Sequence, residues 1–335
     1  MGKKRITIAE VASAAGVSMM TVSRAINQRY GVNEETRQRI LKIADELGYR
    51  PSQLARGLVT HQSATLGLVM PDVSNPFFSQ IARGAEEIAY QNNYNLFLIN
   101  TCEDVKREKD ALDSLLEKEI DGAVWCSSRL SQDEIIPYLD LLPAAVLVNR
   151  ELEVDHQHVS TVNVDDSQGT RISLDYLIGH HRTKIALLAG PTLSVSGKRR
   201  LDGFKAGLKE HHLPLEEVRI EPCAPTTLGG KEAALKLFDR CPDVDAVIAF
   251  NDLVAVGVLH ACIQIGKSVP EDVAVIGADD IPLAALTSPS LTTLHVDLAA
   301  LGENAMSALL RLIDLPDEPA QKIMMAPQLL IRQSA

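Results

Sequence analysis

Arg24 carries the most specific chemistry in the first sixty residues, because a guanidinium can donate two hydrogen bonds to O6 and N7 of one guanine or clamp a backbone phosphate. Beside it, Met19 and Met20 lack donors and can touch only apolar base edges, whereas Thr21, Ser23 and Asn27 can reach phosphates or base edges with short polar side chains. A second chemistry is spread along the rest of the chain. Polar and aromatic clusters stand at Asp72 to Phe78, Asn149-Arg150, Asp165, Ser194 to Arg200, Asn251-Asp252 and Asp279-Asp280. A carboxylate accepts from two neighbouring hydroxyls, and Arg with Asn completes a donor and acceptor pattern around a polyol. Such a lining suits a sugar. Against it stand blander roles: Asp252 and Asp280 as caps, Arg200 on an exposed helix face with Lys198 and Arg199, and Phe77 and Phe78 as core.

The elements that must position the first group are short. Ile8, Val11, Ala12 and Ala15 recur at helical spacing, Gly16 breaks the run, and Ser18 can cap a second helix that begins at Met19 and turns Val22 and Ile26 inward. Small Ala12 lets the two helices approach and Gly16 permits the tight turn, which makes a helix-turn-helix. Asn33 caps a third helix over residues 34 to 47, with Ile40, Ile43, Ala44 and Leu47 as its apolar stripe. Pro51 ends it. A short, weak helix follows at 52–58, where Gly57 costs roughly 1 kcal/mol relative to Ala. A helix of this length does not persist alone in water and needs a partner.

The stretch from Thr7 to Thr60 resembles the LacI family of bacterial transcription regulators. The resemblance rests on T-I-x-x-V-A-x-x-A-G-V-S from Thr7, T-V-S-R from Thr21, E-T-R from Glu35, and L-G-Y-x-P followed by L-A-R-x-L. It extends through the rest of the chain. It implies that the second helix lies in the major groove, with Met19 and Met20 helping to select the operator. It also implies that two hinge helices pair in a dimer and press Leu58 into the minor groove, where an apolar wedge kinks the duplex. The DNA-contacting set is then Thr7, Ser18, Met19, Met20, Thr21, Ser23, Arg24, Asn27, Ser52, Ala55 and Leu58. By the same resemblance, Arg200, Asn251 and Asp279 hold an effector, with Ser196, Asn149 and Phe77 in support.

From Leu66 onward apolar strands alternate with helices. Residues 66–70, 95–100, 122–126 and 145–149 read as buried strands of one set, with helices near 78–92, 106–118 and 132–141. A second set reads over 159–164, 185–190, 218–222, 246–250 and 273–277. The chain then returns through strand-like 291–296, a helix near 298–314 and strands near 321–326 and 328–332. Two sets mean two lobes with doubly wound parallel sheets, and such sheets bind ligands at the carboxyl ends of their strands. The family's body resembles a periplasmic sugar-binding protein, which implies three crossings, near 161–165, 291–296 and 324–328. The expected organisation is therefore an all-α helix-turn-helix head over 1–50, a hinge over 51–61, and a bilobed α/β effector-binding and dimerisation body over 62–335. Its N-lobe takes 62–161 and 294–324, and its C-lobe takes 162–293 and 325–335.

Charge divides along the same line. The chain of 335 residues carries a formal −11, yet residues 1 to 61 hold ten Lys and Arg against five Asp and Glu, a net +5 that leaves −16 for residues 62 to 335. A basic head on an acidic body favours a head that neutralises phosphates and a body that stays off them. Lys3, Lys4 and Arg5 fit a loose basic arm. Five widely spaced cysteines without a C-x-x-C pair fit buried thiols in a reducing cytosol. Glu10 interrupts the apolar run that follows MGKKR, against a signal peptide, and no stretch approaches the ~18 apolar residues of a membrane span.

Other chemistry fails on spacing. In the stretch from Gly190 to Lys198, six residues rather than four separate the glycines, and Arg199 stands where a phosphate loop needs Ser or Thr. The histidine pairs 156/158, 180/181 and 211/212 lack zinc-site geometry and read as solvated, so no metal or cofactor is expected. His181-Arg182 stands where the family has Gly-His, so that helix end needs a different cap. No nucleophile and base pair points to an enzyme. What the resemblance implies is a cytoplasmic repressor of carbohydrate-utilisation genes that binds a pseudo-palindromic operator on double-stranded DNA as a homodimer and is released by a small sugar. The alternative is a regulator that needs a corepressor, a purine or another metabolite. No leucine heptads close the sequence, which favours a dimer over a tetramer.

Overall fold

The computed structural model describes residues 6–50, 62–153 and 156–335, and the chain divides into two compact units, Met1–Ala64 and Thr65–Ala335. The expected basic arm at Lys3 to Arg5 and the expected hinge, with Ser52, Ala55 and Leu58, lie outside the described residues.

In the first unit, helix α1 spans Ile8–Ala15, α2 Met19–Ile26 and α3 Glu34–Glu46. Each start has a local cause. The Thr7 hydroxyl accepts from the Glu10 amide at 3.4 Å while the Glu10 carboxylate accepts from the Thr7 amide at 2.7 Å, a reciprocal cap that satisfies two otherwise orphaned donors. Ser18 caps α2 and Asn33 caps α3 in the same sense, each accepting from the amide three residues on. Gly16 sits at φ 65°, the left-handed region that ends α1 and turns the chain toward α2. Val11, Val22, Ala25 and Ile40 are fully buried where the three helices meet. Arg37 of α3 donates to the carbonyls of Ala25 and Arg29, which ties down the end of α2. Leu47 departs from its expected place on the apolar stripe: it follows the last turn of α3 and stays 38% exposed, because the helix has ended and its face no longer meets α1 or α2.

The second unit contains two six-stranded sheets. The first holds β1 (Thr65–Met70), β2 (Asn95–Asn100), β3 (Gly122–Cys126), β4 (Ala145–Val148), β5 (Val159–Val164) and β11 (Lys322–Met325), in the order β11-β5-β4-β3-β1-β2, all parallel. The second holds β6 (Ile185–Gly190), β7 (Ile220–Pro222), β8 (Ala246–Ala249), β9 (Ala274–Ala278), β10 (Thr292–His295) and β12 (Gln328–Leu330), in the order β12-β10-β9-β8-β6-β7, with β12 alone antiparallel.

Helices cover both faces of each sheet. On the first, α4 (Pro76–Gln91) and α11 (Leu298–Asp314) pack through Ile81, Ala85, Leu301 and Leu309 on one side. On the other, α5 (Val105–Glu117) and α6 (Gln132–Leu141) pack through Leu112, Leu115, Ile135 and Leu139. On the second sheet, α9 (Thr227–Arg240) and α10 (Asp252–Ile265) cover one face, and α7 (Asp166–Gly179) and α8 (Val195–Glu210) the other. The chain passes between sheets three times: from β5 into α7, from β10 into α11, and from β11 into β12.

Three expectations change. Residues 159–164 read as the first strand of the second set, but β5 belongs to the first sheet, held between β4 and β11. Residues 95–100 read as buried, but β2 is an edge strand with Phe97 and Leu98 each 43% exposed. The strand read over 218–222 is a short 3-10 turn at Glu217–Arg219 followed by the three residues of β7. Among the described residues no helix is long and apolar enough to cross a membrane, and no group of three or more His, Cys, Asp or Glu has metal-site geometry.

Candidate functional site

The candidates in the first unit gather on and around α2. Met19 and Met20 are 56% and 64% exposed at its first turn. Arg24 is exposed one turn later, with its side chain beside Gly31. Other polar candidates are partly committed to the fold: Thr7 and Ser18 cap helices, the Thr21 hydroxyl meets that of Ser18 at 2.9 Å, and the Asn27 amide donates to the Ser23 carbonyl at 2.9 Å. These bonds fix the helix ends, and Met19, Met20 and Arg24 are its exposed side chains without a hydrogen bond among the described residues.

All six effector candidates of the second unit line one cavity. Phe77 comes from the start of α4, Asn149 from the end of β4, Ser196 and Arg200 from α8, Asn251 from the end of β8 and Asp279 from the end of β9. They come together because parallel strands deliver their following residues to the same edge of each sheet. Arg200 is the hub. Its Nε donates to Asp166 Oδ1 at 2.9 Å, its Nη2 lies 3.6 Å from Asp279 Oδ1, and its guanidinium carbon stands 5.0 Å from the centre of the Phe250 ring. Burial opposes its charge, but Asp166 and Asp279 outweigh that and hold its pKa above the ordinary value. Burial pushes the Asp279 carboxyl up to about 7, against the pull of Arg200. Asp279 also has φ 107°, a left-handed conformation that costs a non-glycine residue strain at the point where it meets the cavity.

Among the described residues, three buried polar atoms around Arg200 have no hydrogen-bond partner: Ser196 Oγ and Arg200 Nη1 on the cavity wall, and Asp166 Oδ2 on an adjoining hollow that Arg200 also lines. A buried polar atom left unpaired costs about 1–3 kcal/mol, so three in one place mark a surface that a polar ligand completes.

Asn75 belongs to the singled-out cluster from Asp72 to Phe78, but Glu103, Ser127, Arg129 and Phe250 on the cavity wall, and Asp166 on an adjoining hollow that shares Arg200 and Asp279, were not singled out from the sequence. The strand-end rule could have reached most of them. Glu103 follows β2, Ser127 and Arg129 follow β3, and Phe250 ends the apolar run of β8. Asp166 stands one residue beyond the singled-out Asp165, which instead caps α7 by accepting from the Gln168 amide. Phe250 owes its place to Gly190, whose φ of 74° and missing side chain let the ring pack directly on the backbone.

The bland roles resolve unevenly. Arg200 is largely covered, its side chain 12% exposed, rather than on an exposed face, and it is Arg199 that reaches Asn163 at 3.1 Å and Glu151 at 3.4 Å. Asp252 does not cap α10, since Asn251 does. Its carboxylate accepts from the Ile281 amide and the Thr293 hydroxyl, and burial followed by the charge of Asp279 pushes its pKa well up. Asp280 accepts from Arg332 and pairs with His295. Phe77 and Phe78 are both buried, edge to face at 4.9 Å, and both reach the cavity wall. The histidines are not merely solvated: His180 bonds the Tyr176 carbonyl and His211 bonds Asp175. His181 takes φ 64°, the position a glycine fills more easily, to end α7.

A helix-turn-helix unit followed by a bilobed body with a polar cleft defines a ligand-controlled DNA-binding regulator. The model for bacterial regulatory proteins of the lacI family matches residues 7–52, and that for the periplasmic binding protein-like domain matches residues 174–335. Catabolite control protein A of Streptococcus mutans is 32% identical over 96% of this chain and 95% of its own. The ribose operon repressor of Bacillus subtilis is 34% identical over 92% of this chain and 91% of its own. Among solved structures, the lac repressor dimer bound to operator and the anti-inducer ONPF superposes with a TM-score of 0.88 at 25% identity, covering 99% of each chain. The chain belongs to the LacI family of bacterial transcription regulators.

Proposed function

We propose that the protein is a transcriptional repressor of carbohydrate-utilisation genes, which binds a pseudo-palindromic operator as a homodimer in the bacterial cytoplasm and is released when a small sugar enters the cleft. The observation that carries the effector half is the set of unpartnered buried atoms, a hydroxyl, a guanidinium nitrogen and a carboxylate oxygen on Ser196, Arg200 and Asp166. With Asn149, Asn251 and Asp279 they offer donors and acceptors in the mixture that vicinal hydroxyls match, while Phe77 and Phe250 offer apolar walls for the carbon face of a sugar ring. The name of the ribose operon repressor supports a sugar. The operator half rests on family membership, with Arg24, Met19 and Met20 as base-reading residues of α2 and Thr7, Ser18, Thr21, Ser23 and Asn27 as supporting contacts. The hinge, with Ser52, Ala55 and Leu58, would transmit the state of the body over residues 62–335 to the head over residues 1–50.

The effector acts only if it prefers one of two body conformations, since equal affinity for both shifts nothing. The test is to select an operator from random DNA with purified protein, then measure its affinity at fixed salt across a panel of sugars. Release by one sugar is the expected result. A ligand that instead tightens operator binding would replace induction with corepression, and indifference to every sugar would remove the carbohydrate assignment.

A further inference from the structure

The mouth of the cleft differs from its floor. Beyond the inner cavity lies a wider and more open hollow, lined by Gly190 at the end of β6 with Pro191, Thr192 and Leu193 after it, and by Pro222 at the end of β7 with Cys223, Ala224 and Pro225 after it. The two cavities are continuous: Glu103, Arg129 and Pro225 line both. The inner wall is charged and hydrogen-bonding, whereas proline, leucine and alanine make up half of the outer wall, whose charged residues are Glu103 and Arg129, with Leu193 59% exposed.

The junction is built with care. Arg129, its side chain 5% exposed, grips the Glu103 carboxylate with both Nε and Nη2, at 2.6 and 3.0 Å, and donates a third bond to the Ser127 carbonyl. Glu103 is delivered by two consecutive left-handed residues, Cys102 at φ 55° and Glu103 at φ 59°, and its amide is anchored to the Pro71 carbonyl at 3.1 Å. Backbone strain of this kind persists where the surroundings enforce it, commonly at ligand clamps. A bidentate pair also neutralises both charges, so the outer cavity offers a neutral apolar floor with carboxylate oxygens at its rim that can still accept from hydroxyls.

We propose that this outer cavity is a second subsite and that the effector is a disaccharide: one ring is held by Arg200, Asp279 and Asn251, and the second, uncharged ring lies against the loops 190–193 and 222–225 with a hydroxyl donated to Glu103. A charged extension finds no unpaired counter-charge there, and a monosaccharide leaves the outer wall uncovered. The inference rests on the sugar reading above and narrows it.

Calorimetric titration of the full-length protein with glucose, galactose and ribose, and with cellobiose, lactose and maltose, tests it. One disaccharide is expected to bind at least tenfold more tightly than either of its component monosaccharides. Leu193→Asp, at an exposed position that tolerates the change, should erase that tenfold gain and leave monosaccharide affinity within twofold. Equal affinity for the best monosaccharide and the best disaccharide overturns the second subsite while leaving the sugar reading intact, as does a Leu193→Asp variant that weakens both classes alike. Binding of none of the six removes the sugar reading and this inference together.

Discussion

Arg200 shows how much one side chain can be asked to do. It neutralises Asp166, faces Asp279 and stacks on Phe250, and it still keeps one buried nitrogen free. Removing one partner from a buried ion cluster leaves the others uncompensated, at a cost of about 3–5 kcal/mol. Arg200→Ala is therefore expected to lower the thermal midpoint of the body by several degrees, as well as abolish effector binding. Ser196→Ala separates the two roles. Its buried hydroxyl has no hydrogen-bond partner among the described residues, so the variant should keep or slightly raise the melting temperature while weakening the effector at least tenfold. A fall in stability with unchanged affinity would place Ser196 in the structure and not in the site.

Asp279 makes a pH-dependent contribution whose sign is fixed by its shift. Its carboxyl stays protonated in the folded protein up to about 7, whereas an unfolded chain loses that proton near pH 4. Between those values the folded state binds more protons, so this group's contribution to stability falls as pH rises through that window. The melting temperature measured from pH 5 to 7.5 should decline more steeply in the wild type than in Asp279→Asn. Asp252, also pushed upward by burial, adds a slope of the same sign in both proteins.

At the scale of elements, the site depends on how loops leave strands. Gly190 lets Phe250 lie on the backbone, where an added methyl carbon would sit 2.4 Å from the ring. Gly190→Ala should displace that ring from Arg200 and weaken effector binding severalfold, as read by titration, with operator binding unchanged. In the head, Thr7 and Glu10 close the start of α1 on each other, and Thr7→Ala is expected to cost about 1 kcal/mol of head stability, visible as faster amide exchange in α1. Helix starts of this kind were legible because capping is local chemistry: Ser18, Asn33 and the Gly16 turn sit where the sequence puts them. Strand membership was less so. Nothing inside VSTVNV tells whether it pairs with β4 or opens a new sheet, since that depends on β11, about 160 residues away. The exposure of β2 likewise follows from its edge position and not from its apolar composition.

At the scale of the whole molecule, the division into a basic head and an acidic body was visible in the charge count, and the LacI-type motifs identified the head. The six effector candidates fall in one cavity because the strand-end rule holds for both sheets. The residues that escaped were of two kinds. Glu103 and Arg129 follow β2 and β3, and their pairing across 26 positions is a tertiary fact that neither strand's sequence carries. Asp166 was hidden behind its neighbour Asp165, and which of two adjacent carboxylates faces a cleft is decided by where α7 begins.

A repressor released by its effector links cleft and operator energetically, and linkage is reciprocal: if the effector weakens operator binding by a given factor, the operator must weaken effector binding by the same factor. The direct measurement is the effector's dissociation constant, by titration of the full-length protein with and without saturating operator at one salt concentration. A repressor of this kind predicts an effector affinity lower on the operator by roughly 5- to 150-fold, equal to the factor seen in operator release. An effector that binds equally well to free and operator-bound protein would show that cleft and operator are not coupled.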